Sequence, residues 1–411
     1  MVDISKKRIL YAETNYDSEE INSVIDVLKN QPFALVGGTY TKEFEGSISK
    51  LFGKKYGVLV NSGSSANLLA LTSLNLKKGS EVVTPCLTFS TTVSPIIQLG
   101  LIPSFIDIEL RTLNIDADKI EEAINEKTSA IMIPNLMGNL PDWSKIKKIA
   151  EQYSLPIIED SADTLGYKFN GKTTGKISDI VTTSFYASHI ITCAGIGGMV
   201  CTDDFELYKS IIIRRGWGRS SELFTPDEAL LSKKEIDQRF EVEIDGISYD
   251  RKFFFEQPGY NFFAPEICAA FGSTQLKKFD ELSSKRLTNF QYLKNSIEKE
   301  LSDFILSPLQ KENVETIWLA YPVIVKTPNP SKSRNKLQIF LEENNIQTRP
   351  IFSGNITKQP MMKEYKFKTS KNGYENTDFI MKNGMLIGCH PKLSLSDLDH
   401  IVNLMKKFFY E

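Results

Sequence analysis

Apolar runs of strand length alternate with helix-length amphipathic stretches through the first two thirds of the chain. The runs 56–60, 81–84, 103–108, 130–134, 156–159, 180–185 and 198–202 predict strands. Between them 65–74, 90–99, 117–124 and 143–153 read as helices. Alternation of this kind predicts a mostly parallel sheet with helices on both faces. The stretch 214–261 breaks the rhythm. It is rich in charge, glycine and aromatics and reads as a long excursion with short helices, which places it among loops that serve function or interfaces. Helices around 264–279 and 282–301 follow. The remainder, 305–411, reads as a smaller α+β unit with strands at 320–325 and 385–387 and helices at 331–344 and 396–409. The boundary falls near residue 275, giving a large domain 1–275 and a small domain 276–411.

Composition narrows the class. The 411 residues are 41% hydrophobic and 24% charged, an ordinary globular balance. The formal net charge of -2 and the absence of a basic block argue against nucleic acid as a partner. No run approaches the ~20 apolar residues of a membrane helix, and the start lacks the apolar core of a secretory signal. A cytoplasmic protein is expected. Its five cysteines, Cys86, Cys193, Cys201, Cys268 and Cys389, are scattered without a Cys-x-x-Cys pair. They read as buried reduced thiols, and no structural zinc site is expected.

Four segments carry chemistry. Asn61-Ser62-Gly63-Ser64-Ser65-Ala66-Asn67 follows a strand, and its small residues let the chain turn sharply into a helix. The free N–H groups and positive dipole of that helix start suit a phosphate, with Ser64 and Ser65 as further donors. An ordinary helix cap is the competing reading. Ile157-Ile158-Glu159-Asp160-Ser161-Ala162-Asp163 ends a strand in carboxylates, at the edge where open α/β sheets bind ligands. Phe89, in Pro85-Cys86-Leu87-Thr88-Phe89-Ser90, stands between a strand end and a helix, where it either stacks on a ligand or packs in the core. Ser184-Phe185-Tyr186-Ala187-Ser188-His189 ends another strand, ahead of Gly195-Ile196-Gly197-Gly198.

Together these segments resemble the DegT/DnrJ/EryC1 sugar aminotransferases, pyridoxal-phosphate enzymes. Leu136-Met137-Gly138-Asn139, Gly37-Gly38-Thr39, Pro258-Gly259-Tyr260-Asn261-Phe262 and 347–359 extend the resemblance over roughly residues 10–405. It implies an aspartate-aminotransferase-type fold (fold type I), with a large α/β domain and a smaller C-terminal α+β domain. It implies that Ser64, Ser65 and Ser184 hold the cofactor phosphate, that Phe89 covers the ring, and that Asp160 pairs with the ring nitrogen and Asp163 lies near the ring hydroxyl. It also implies a homodimer with shared active sites, in which Asn261 reaches the neighbour's phosphate. Arg219 and Arg349 are candidates for a substrate diphosphate or a glutamate carboxylate.

One departure decides the activity expected. The family's Ser-Phe-x-x-x-Lys ends in the lysine that binds the cofactor covalently. Here the position is His189, and no lysine lies between Lys176 and Lys209. An imidazole moves protons near neutral pH but supplies no amine for a Schiff base. The departure is similar to the family's nucleotide-sugar 3-dehydratase branch. It implies non-covalent pyridoxal or pyridoxamine phosphate, a nucleotide-linked 4-keto-6-deoxyhexose as substrate, and glutamate as amino donor. Branch members with an iron–sulfur cluster and a reductase carry cysteines in the excursion, and this chain has none between Cys201 and Cys268. That favours the glutamate-dependent type. The rival outside enzymes is a silent binding protein, since a dead transaminase also loses its lysine.

Overall fold

The strands expected from the apolar runs form one sheet in the computed structural model, which describes residues 8–31, 34–223, 232–326 and 329–411. They are β1 (Tyr56–Val60), β2 (Glu81–Pro85), β3 (Ile102–Ile106), β4 (Thr128–Pro134), β5 (Ile157–Ser161), β7 (Ile180–Ser184) and β8 (Gly198–Thr202), with the short β6 (Lys168–Phe169) outside the sheet. The seven strands lie in the order β1-β8-β7-β5-β4-β2-β3. β2 is parallel to β3 and β4, β4 to β5, and β5 to β7. β8 runs antiparallel to both β1 and β7, so β1 points the same way as β7. The C-terminal ends of β1, β2, β4, β5 and β7 therefore open onto one edge. Successive residues feed opposite faces, as strand geometry requires. Ile131, Ile133 and Ile157 join one core with Phe44 and Trp143, while Met132 and Ile158 join the other with Leu69 and Ile96.

Helices cover both faces. α1 (Ser18–Asn30) and α2 (Thr39–Leu51) precede β1, and α3 (Gly63–Ser73), α4 (Ser90–Gln98), α5 (Trp143–Tyr153) and α6 (Phe205–Arg215) connect or follow the strands. The helix expected at 117–124 is instead two short 3-10 turns, Ala117–Lys119 and Glu121–Ala123. Polar side chains capture the backbone at both ends: Asp116 accepts from the Asp118 N–H, and Thr128 Oγ1 accepts from the Asn125 N–H. Such local bonds compete with helix propagation. The excursion contains α7 (Lys233–Arg239) and a hairpin of β9 (Val242–Ile244) and β10 (Ile247–Tyr249).

After α8 (Glu266–Lys277) and the long α9 (Phe279–Leu301), a four-stranded antiparallel sheet runs β11-β13-β15-β14. Its strands are β11 (Ile305–Leu306), β13 (Tyr321–Val325), β14 (Arg349–Pro350) and β15 (Gly384–Ile387), with β12 (Val314–Glu315) pairing β6 instead. α10 (Arg334–Glu343), α11 (Glu375–Asn383) and α12 (Leu395–Tyr410) complete this unit. The expected boundary near 275 falls in the last turn of α8. All strands of the small sheet lie beyond it, but the chain start joins them: Ile9 bridges Ile346, and Tyr11 N–H donates to Gln347 Oε1 at 2.9 Å. Leu87, Leu136 and Met137 from the large sheet's edge also pack in the small unit's core. Among the described residues no helix is long and apolar enough to cross a membrane.

His390 links the two ends of the chain. It is 1% exposed, and its Nε2 lies 3.1 Å from the Leu10 carbonyl. Burial lowers its pKa from 6.5 to about 4. The folded state keeps this imidazole neutral where the unfolded chain would protonate it. Its contribution to stability is therefore complete above pH 6.5 and is lost as pH falls toward 4. Denaturant titration of the wild type against His390→Gln across that window should show the wild type losing about 2–3 kcal/mol more than the variant. Parallel pH profiles would remove His390 from this role.

Candidate active site

The first turn of α3 is built by close approach. Ser62 caps the helix, its Oγ accepting the Ser65 N–H at 3.1 Å. A Cβ on Gly63 would lie 2.6 Å from Ser184 Cβ, and one on Gly198 would lie 2.3 Å from the Ser62 backbone. Only glycine lets the ends of β1, β7 and β8 meet this tightly. The helix itself leaves the first-turn N–H groups of Gly63 and Ser64 free toward the sheet edge. Ser64 and Ser184 line the cavity there. Ser65, expected beside them as a phosphate donor, does not. Its hydroxyl points inward and donates to Asn61 Oδ1 at 2.6 Å, because the residue three after the cap turns toward the capping side chains.

Two carboxylates close the other side. Asp160, at the end of β5, is 4% exposed. Its Oδ2 accepts from Asn67 Nδ2 and Thr92 Oγ1, each at 2.8 Å, and its Oδ1 accepts the Ala162 N–H at 3.2 Å. Burial raises its pKa, and these donors oppose the rise. Among the described residues no cation pairs with it. Asp163 Oδ2 accepts the Met137 N–H at 3.2 Å. Burial, with the nearby Asp160 charge, pushes its pKa up to about 7. Glu159 points to the opposite face of β5, where Asn135, Ser161, Tyr167, Thr174 and Ser178 donate to it. That network fixes the strand end bearing Asp160.

His189 stands on the turn after β7. The turn is closed by Phe185 N–H to Gly197 O at 2.9 Å, Ala187 N–H to Gly195 O at 3.0 Å and Cys193 N–H to Phe185 O at 3.1 Å. Thr14 Oγ1 holds it from outside, donating to Ala187 O at 3.0 Å. The Nδ1 of His189 is buried without a hydrogen-bond partner. Burial lowers its pKa to about 4, against an opposing pull from the backbone at Ala162 and Ser184. The imidazole is therefore neutral around pH 7, in its proton-accepting form. Among the described residues no lysine lines the cavity.

The cavity has a volume of about 480 Å³, within the range of small-molecule sites. It brings together Ser64, Phe89, Asp160, Asp163, Ser184, His189 and Arg349 of the residues picked from the sequence. Phe89 is 53% exposed on its wall and meets Phe352 edge-on at 6.3 Å, so it is not a core residue. Arg349 Nη1 donates to Thr348 O, and its guanidinium lies 5.7 Å from the Tyr11 ring centroid. Besides Ser65, two residues fall outside. Arg219 donates to Glu222 Oε1 at 2.7 Å and stacks over Trp217. Asn261 is exposed, next to Phe262, whose carbonyl accepts the Asn61 N–H at 2.9 Å. Sequence reasoning missed Asn67, Thr92, Tyr11 and Phe352, all of which line the cavity. Asn67 had a signal: a polar residue leading the apolar run Leu68-Leu69-Ala70. Thr92 had none.

The family model of the DegT/DnrJ/EryC1/StrS aminotransferases matches residues 14–406. The lipopolysaccharide biosynthesis protein RfbH of Salmonella typhimurium is 37% identical, covering 91% of this chain and 86% of that protein. The GDP-4-keto-6-deoxy-D-mannose 3-dehydratase of Yersinia pseudotuberculosis is 34% identical over 96% of this chain and 98% of its own. A crystal structure of GDP-4-keto-6-deoxymannose-3-dehydratase with a trapped PLP-glutamate geminal diamine superposes with a TM-score of 0.84 at 30% identity, covering 96% of this chain and 99% of that one. The chain belongs to the DegT/DnrJ/EryC1/StrS aminotransferase family, and its fold is that of the family.

Asp163 gives a direct check on the electrostatics of the site. A carboxyl with a pKa near 7 is largely neutral at pH 6 and largely ionised at pH 8. Infrared difference spectra of the protein without added ligand should lose a protonated-carboxyl band across that interval, and Asp163→Asn should abolish the change. A spectrum without any carboxyl titrating between pH 6 and 8 counts against the buried assignment.

Proposed function

We propose that this family member removes the C3 hydroxyl of a nucleotide-linked 4-keto-6-deoxyhexose with pyridoxamine phosphate, which glutamate regenerates, and that His189 is its base. The observation that carries the reading is His189 in the cavity, on the turn where the family carries its cofactor lysine. The names of the relatives support the same reaction, and the lipopolysaccharide context of one supports a role in supplying a deoxysugar to surface polysaccharide.

The site fits the cofactor on its own chemistry. A buried carboxylate without a cation is costly, and a protonated ring nitrogen at Asp160 removes that cost. The free N–H groups of the α3 start, with Ser64 and Ser184, suit the phosphate. Phe89 offers a ring face and Asp163 a partner for the ring hydroxyl. When bound, pyridoxamine phosphate lends its amino group to the substrate ketone, and its cationic ring takes up the electron pair set free by proton removal. His189, neutral at pH 7, takes the proton from the amino-bearing carbon of the cofactor and delivers it to the C3 hydroxyl as that group leaves. Asp160, as the carboxylate, keeps the ring nitrogen protonated throughout. Arg349 meets the substrate diphosphate or the glutamate carboxylate. The net change replaces C3–OH by C3–H while glutamate becomes 2-oxoglutarate and ammonia. Glutamate is thus the reductant, and no second one is needed.

Pure protein given pyridoxal phosphate, glutamate and a GDP-4-keto-6-deoxyhexose should release ammonia. Release that depends on an added reductase would favour the iron–sulfur route, and binding without release would leave a silent binding protein. Borohydride treatment of the wild type should leave no lysine carrying a pyridoxyl group. In His189→Lys the added amine should trap pyridoxal phosphate as a yellow, reducible species. Turnover should fall by about 10²–10⁴-fold. A wild-type rate in this variant would remove His189 from the reaction.

The protein acts as a homodimer in this reading, with Asn261 and Arg219 serving the neighbour's site. Apolar side chains left exposed around the cavity and on the excursion, among them Phe89, Tyr186, Phe253 and Phe255, support a partner surface. Mixing inactive His189→Ala with inactive Asn261→Ala chains should restore part of the activity, because one site of the hybrid carries neither defect. A fully active monomer at assay concentration would refute shared sites.

A further inference from the structure

The hydrogen bonds to Asp160 are unequally divided. Asn67 Nδ2 and Thr92 Oγ1 both donate to Oδ2, while Oδ1 receives only the longer bond from the Ala162 backbone. Oδ1 is therefore the oxygen with capacity left for a further donor. Asn67 is itself oriented. Thr182 Oγ1 lies 2.5 Å from Asn67 Oδ1, and the Asn67 amide also donates to Thr91 O at 3.2 Å. With its oxygen held by Thr182, the amide presents N–H to the carboxylate. The flipped amide would set oxygen against oxygen. Asn67, Thr92, Asp160 and Thr182 are all buried and come from α3, α4, β5 and β7.

A carboxylate facing a pyridine-type nitrogen has two states: an ion pair with the proton on nitrogen, or a neutral pair with the proton on oxygen. Burial favours the neutral pair. Hydrogen bonds donated to the carboxylate favour the ion pair, because they stabilise the charged form. Only the ion pair leaves the ring cationic and able to take up electrons.

We propose that Asn67 and Thr92, with Thr182 fixing the Asn67 amide, are positioning residues that keep the shared proton on the ring nitrogen and not on Asp160. The proposal rests on the reading that Asp160 faces that nitrogen. The competing explanation is that these bonds only tie α3 and α4 to the sheet.

The test is ¹⁵N NMR of pyridoxamine phosphate labelled in the ring, bound to the wild type, Thr92→Val, Thr92→Ser and Thr182→Val at pH 6.5–8.5. The wild type should show the protonated-nitrogen signal throughout. In Thr92→Val and Thr182→Val the signal should move toward the unprotonated value, and Thr92→Ser, which keeps a hydroxyl, should restore it. Wild-type preference for this cofactor over an analogue with carbon in place of the ring nitrogen should narrow about tenfold for each pKa unit moved. Wild-type nitrogen signals in both valine variants would overturn the proposal and leave the proposed function standing. A wild type that fails to bind pyridoxamine phosphate would overturn both. Thr182→Val, one residue removed from Asp160, serves as the variant if Thr92→Val does not fold.

Discussion

A carboxylate buried at the end of β5, with no cation paired to it among the described residues, is the constraint on which the site depends. An ionised group in such a place is tolerated only when donors surround it. Here those donors come from α3, α4 and the backbone after β5. The requirement fixes the angle at which α3 leaves β1 and α4 leaves β2. It also explains Asn67 ahead of the apolar run Leu68-Leu69-Ala70 and the Glu159 network on the opposite face, which immobilises the same strand end. The glycines at 63 and 198 serve the same geometry, since any side chain there would push α3 away from β7 and β8.

Burial acts in opposite directions on the two kinds of titrating group in the cavity. It lifts Asp163 to about 7 and lowers His189 to about 4. Both shifts move the groups toward neutrality near pH 7, so the lasting charges of the cavity lining are the Asp160 carboxylate and the Arg349 guanidinium. In the proposed placement the phosphate meets neutral N–H groups and hydroxyls, and the cation meets Asp160. In such a setting an imidazole that starts neutral is well placed to accept a proton, and it needs no counter-ion until it has one.

The large sheet was legible because parallel strands buried on both faces read as near-continuous apolar runs. β2 and β5 are buried at every position, and the apolar runs locate them to within a residue or two at each end. Sequence patterning at 117–124 counted apolar spacing and missed the local side-chain bonds that stop a helix there. The residue types at strand ends pointed to Asp160, Ser184 and His189, because a chain leaving a buried strand must arrive at the sheet edge. Ser64 and Ser65 look alike in sequence, whereas the helix N-terminus turns the Ser64 side chain outward and the Ser65 hydroxyl toward the cap. Thr92 was invisible for a related reason. A threonine in the first turn of a helix is ordinary, and its importance lies in a partner 68 positions away.

Asn261 and Arg219 mark a different limit. Both sit where the two ends of the excursion are zipped together, with Trp217 N–H on Tyr260 O and Tyr260 N–H on Arg214 O, each at 2.7 Å. That zipper holds the segment against the outer side of the α3 turn through Asn61 and Phe262. Asn261 is thereby presented outward beside the α3 turn, not into its own cavity. A polar residue held this firmly, among exposed aromatic side chains, is better suited to contact a second copy than to a solvated loop. The excursion then has a physical purpose. In the proposed homodimer it carries side chains past the limits of their own sheet edge, toward the neighbour's site.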